Sequence, residues 1–76
     1  MFTAQQLREI MRANPFKPFR IHLTNGKTFD VANHDSAFVG GSWIEVATRL
    51  DTHGFPEWST RCAILHIAQI EDLQPA

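Results

Sequence analysis

The sequence predicts an α+β domain, an N-terminal helix followed by a small five-stranded antiparallel barrel. Three observations carry this. A complete helix-start signature opens the chain, an Asn-Gly pair sits between two runs of period-two alternation, and the rest breaks into short apolar stretches separated by turn residues. At 76 residues the chain holds one core and no second domain, so residues 1–76 read as a single unit with the helix at about 3–13 and the barrel at about 19–73.

The helix is argued first from its cap. Thr3 can cap, Gln6 completes a capping box, and Phe2 can pack on Leu7 as a hydrophobic staple. Leu7, Ile10 and Met11 then form one apolar stripe, with Gln5, Arg8, Glu9 and Arg12 on the solvated side. Pro15 ends the helix near Ala13 or Asn14, because it lacks an amide donor and pushes the preceding residue out of the α region.

Pro15-Phe16-Lys17-Pro18-Phe19 reads as a stiff extended connector that lays two phenylalanines across one end of the core. Phe19, Ile21 and Leu23 alternate with Arg20, His22 and Thr24, and beyond Asn25-Gly26 the apolar positions are Phe29 and Val31. A type I′ hairpin turn is expected there, with positive φ at both Asn25 and Gly26. Asn33-His34-Asp35-Ser36 is turn chemistry, Ala37-Phe38-Val39 is expected to return an apolar patch to the core, and Gly40-Gly41 makes a second tight turn.

Trp43 to Leu50 is the third strand, with Ile44 and Val46 inward and Trp43, Glu45, Ala47 and Arg49 outward. Residues 51–56 form a loop and Trp58 to Leu65 a fourth strand. The end of the chain fits one helical turn docking Ile67, then a closing strand through Ile70. Closure of such short strands into a barrel would remove exposed edges.

Certain residues carry a resemblance. The run from Pro15 through Val31, the His34 turn and the ending Leu65-His66-Ile67-Ala68-Gln69-Ile70-Glu71 resemble a family of short bacterial proteins of uncharacterised function. In that family a Pro-Phe-x-Pro-Phe segment leads into an x-Gly hairpin. The resemblance implies a barrel and brings no activity or site residue with it. In element order the chain is also similar to SH3-like and Sm-like barrels; the latter bind RNA and assemble into rings. It lacks their basic glycine-bearing segment before the last strand.

Composition narrows the function classes. Seven Lys+Arg against eight Asp+Glu give a net charge of −1, so the whole molecule has no bias towards phosphate or anionic lipid. The first residues lack a basic region followed by an apolar stretch, and no apolar run is long enough to span a bilayer, so a cytoplasmic protein is expected. The single cysteine, Cys62, cannot close an internal disulfide and reads as a buried thiol in an apolar strand.

His22, His34, His53 and His66 are widely separated, without an HxH or HxxxH pair, so no metal and no cofactor is expected. Nothing converges as nucleophile and base, and the chain reads as not an enzyme.

What remains is aromatic. Trp43 falls out of phase with Ile44 and Val46, and Phe55 and Trp58 flank a loop where a small barrel has little core to receive them. Arg49 and Arg61 could stand at their rim, and aromatic residues beside arginine are usual anchors of protein interfaces. The expected site is therefore Trp43, Arg49, Phe55, Trp58 and Arg61, used for binding a protein partner or for self-association. The competing reading packs Trp43 on the helix or over the barrel mouth and Trp58 in the core. The alternative function is RNA or single-stranded nucleic acid binding, with outward His22, Trp43, Arg49 and Arg61 stacking on bases and neutralising phosphates.

Overall fold

The computed structural model describes residues 1–73. Helix α1 spans Ala4–Arg12 and begins on the expected capping box: the Thr3 hydroxyl accepts from the Gln6 amide at 3.1 Å, and the Gln6 side chain accepts from the Thr3 amide at 2.9 Å. Leu7 is fully buried, and Phe2, Ile10 and Met11 pack around the core it enters. At the other end, His34 Nδ1 lies 2.7 Å from the Met11 carbonyl, supplying one of the partners that a helix C-terminus otherwise lacks.

Six strands follow: β1 (Phe19–Leu23), β2 (Thr28–Val31), β3 (Ala37–Val39), β4 (Trp43–Leu50), β5 (Pro56–Ala63) and β6 (Ile67–Asp72). They form two three-stranded antiparallel sheets, ordered β2-β1-β6 and β3-β4-β5. The expected five-stranded closed barrel is thus corrected on both points. A capped 3-10 turn at His34–Ser36, held by Asn33 and Ser36, ends β2 and starts a separate strand β3. No ladder joins one sheet to the other among the described residues, so β5 keeps an open edge.

The core lies between the sheets and under the helix: Leu7, Phe19, Ile21, Val31, Ile44, Val46, Cys62, Ile64 and Ile67. On β1 and β4 the buried residues alternate, Phe19 with Ile21 and Ile44 with Val46, as a period-two pattern requires. Ile67 is reached through a 3-10 turn at Ile64–His66, after which β6 returns to pair with β1.

Two turn details differ from expectation. The β1–β2 hairpin is present, but only Gly26 has positive φ, at 88°. The Gly26 amide donates to the Leu23 carbonyl and the Leu23 amide to the Lys27 carbonyl, enclosing Thr24-Asn25-Gly26. This is the three-residue hairpin loop with glycine at the left-handed position, not a type I′ turn. Phe38, expected to help return an apolar patch to the core, is 66% exposed. Its neighbours Ala37 and Val39 turn inward, and strand alternation sends Phe38 out.

Candidate interaction surface

The β3-β4-β5 register sets the outer face of that sheet. Phe38 stands opposite Glu45, and Glu45 opposite Arg61. Trp43, at the start of β4, completes the group: the Arg61 guanidinium carbon lies 4.3 Å from the Trp43 ring centroid, and the Phe38 ring centroid is 6.0 Å away. Arg61 Nη2 is also 3.2 Å from Glu45 Oε1, so the cation is held between a carboxylate and an aromatic face. An exposed cation–π contact of this kind is worth about 0.5–1 kcal/mol. Trp43 is half-buried, and the ring lies against Gly40, where a side chain would collide with it.

The hairpin formed by β4 and β5 continues past this group and past the core. Ile44, Val46 and Cys62 are buried, whereas Thr48, Arg49, Glu57, Trp58 and Ser59 are exposed. Its tip is built by Asp51, whose side chain accepts from the amides of His53 and Phe55 at 2.9 Å each; Gly54 adopts φ 85° to close the loop. Phe55 is 67% exposed and Trp58 61% exposed. Trp58 therefore does not enter the core: alternation points it to the side of Thr60 and Cys62, but it lies beyond the last buried residue of β5.

Arg49 was expected in one outward row with Trp43, Glu45 and Ala47. The register shifts between Ala47 and Arg49, taking up Thr48 as an extra residue, and Arg49 stands opposite Trp58 instead. Its guanidinium is 3.9 Å from Glu57.

The five expected residues thus fall into two groups on one strand pair. Trp43 and Arg61 belong to the sheet face, while Arg49, Phe55 and Trp58 belong to the hairpin end; at the usual strand rise Trp43 is about 20 Å from Arg49 along β4 and Arg61 about 10 Å from Trp58 along β5. The face also includes Glu45, expected to point outward but not counted in the site, and Phe38, which sequence reasoning sent to the core. The alternation of Ala37, Phe38 and Val39 was the available signal for Phe38.

Other polar groups are engaged in structural contacts. His22 Nε2 lies 2.9 Å from Glu71 Oε1, and Arg20 makes a two-pronged contact with Asp30 at 2.7 and 3.2 Å. The hydrogen bond from Arg20 holds the Asp30 carboxyl below its ordinary range. Burial pushes the Cys62 thiol up, which disfavours the thiolate. Among the described residues no three His, Cys, Asp or Glu side chains are grouped to hold a metal ion, and no helix is long and apolar enough to cross a membrane.

Compared with protein-family models, curated proteins and solved structures, the chain matches none.

Proposed function

We propose that this chain is a non-enzymatic protein-interaction module that binds a partner, or a second copy of itself, through its β3-β4-β5 sheet and the projecting β4–β5 hairpin. The observation that carries this reading is the exposure of large aromatic side chains there: Phe38 on the sheet face and Phe55 and Trp58 at the hairpin end are each more than three-fifths exposed. Exposed large apolar groups mark contact surfaces, and tryptophan beside arginine is enriched among their anchors. A chain this short also has little core of its own to stabilise it, so burying such a surface against another molecule would add to its stability.

Charge favours a protein over a nucleic acid as the occupant. Arg61 and Arg49 each face a carboxylate, Glu45 and Glu57, so neither is a free counter-charge for phosphate. The strand order, with the last strand returning through a 3-10 turn to the first, supports reading the scaffold as an SH3-like roll left open at β5. The reading places the protein in the cytoplasm, where an unpaired thiol such as Cys62 stays reduced.

The test is light scattering over a concentration series, together with affinity capture from native cells. A dimer, a higher oligomer or one stoichiometric partner is expected, with Trp58→Ala weakening the complex by more than about 1 kcal/mol. Trp58 is exposed, so the variant should fold normally. A strict monomer that captures no protein would defeat the proposal, and so would retained RNA whose binding weakens steeply with salt.

A further inference from the structure

The open edge of β5 borders a groove of about 390 Å³ between that strand, the β1–β2 hairpin tip and the 3-10 turn before β6. Leu23, Phe29 and Cys62 supply apolar lining, and Lys27, Arg61 and His66 supply cationic or ionisable groups. Among the described residues no carboxylate lines it. Lys27 makes no ion pair among the described residues, whereas the charge of Arg61 is shared with Glu45.

The backbone of β5 is poised towards this groove. The Ile64 amide donates to the Ser42 carbonyl, and on the other side of β4 the Gly40 amide donates to the Trp43 carbonyl. By antiparallel alternation, Thr60, Cys62 and Ile64 then use their backbone groups on β4, which leaves those of Ser59, Arg61 and Ala63 facing away from it. The last two border the groove, beside an apolar lining and a free lysine.

We infer that this groove takes an extended, acidic segment of a partner protein, which adds to β5 as a further strand and sets its carboxylates against Lys27 and His66. Main-chain hydrogen bonds to Arg61 and Ala63 would give the affinity. The cationic rim, with no carboxylate opposite it, would select an acidic sequence over a basic one. This goes beyond the aromatic surface, since it uses the edge of β5 and not the outer face of the sheet.

Two variants separate the two contributions. Lys27→Glu reverses the free charge at an exposed hairpin position. Ala63→Pro removes an edge amide, and Ala63 already has φ −68°, the value that proline imposes. Circular dichroism and urea melts establish that each variant folds.

The probe is a capped peptide of alternating Glu and Val, titrated into isotopically labelled full-length protein and followed by backbone amide shifts. The expected result is movement of the Arg61 and Ala63 amides, weakening with added salt, and a loss of about tenfold or more in affinity for each variant. N-methylation of the peptide at alternate amides should abolish binding.

Several results would overturn the inference: no binding of the acidic peptide, equal binding of a Lys-Val peptide, or shifts confined to Phe38 and Trp43. It would also fail if a single-stranded oligonucleotide, not the peptide, moved the same amides, or if a second copy occupied the edge and protected the Arg61 and Ala63 amides from exchange in the free protein.

Discussion

Replacing Gly40 by alanine should destabilise the protein through one side chain, Trp43. A β-carbon built at Gly40 would stand 2.7 Å from Trp43 Cζ2 and 2.8 Å from Cδ2, with Cε2 nearer still. Carbon atoms in comfortable contact sit about 3.5–4.0 Å apart, so the ring must retreat by about 1 Å. It cannot do so freely, because the Arg61 guanidinium stacks 4.3 Å from its centroid and the Phe38 ring flanks it. Forced repacking of this kind costs about 1–3 kcal/mol.

An opposing effect is present. Gly40 does not have positive φ, so alanine fits the backbone and stabilises by restricting the unfolded chain, by about 0.4–1 kcal/mol. The net expectation is a loss of up to about 2.6 kcal/mol. Urea denaturation followed by far-ultraviolet circular dichroism measures it, and a double-mutant cycle with Trp43→Leu assigns it. In the Trp43→Leu background the collision is gone, so Gly40→Ala should turn neutral or mildly stabilising. If it costs the same in both backgrounds, the ring is not the cause.

Two further outcomes follow from the ionisable groups. Asp30 has a depressed folded pKa, so its contribution is complete above the ordinary carboxylate value of about 3.9 and fades as pH falls through the lower folded value. Asp30→Asn should therefore reduce stability slightly at pH 7, the pair being exposed, and match the wild type in strong acid; a constant difference across pH would refute this assignment. Cys62 is 5% exposed with a raised pKa, so a thiol reagent at neutral pH should modify it far more slowly in the native protein than in urea. Equal rates would show that the thiol is not shielded.

Where local chemistry decided the structure, the sequence was enough to read it. The capping box of Thr3 and Gln6 closes within four residues, and both of its hydrogen bonds are present. Ile44 and Val46 are buried, while Trp43 and Glu45 are less so, because a strand can alternate only one way once its apolar set is chosen. The apolar run ending at Val39 was harder. Three residues give only one alternation as a signal, and the inward pair Ala37 and Val39 hid the outward Phe38 between them. The turn type at Asn25-Gly26 was also misread: the dipeptide allows two hairpin loops, and the pairing of Leu23 with Lys27 selects the longer one.

Thus the sequence alone determined the helix and its start, the hairpin after it, the direction of β4 and most of the buried set. Each depends on residues within one turn or one strand of each other. The tertiary structure decided how many strands there are, that the two sheets remain separate, and which aromatic residues share a surface. Register across strands brought Phe38 and Glu45 to Trp43 and Arg61, and a one-residue shift at Thr48 took Arg49 away to Trp58. Such placements are set by pairing between segments distant in the chain, and a shift of one residue reverses the side to which a side chain points.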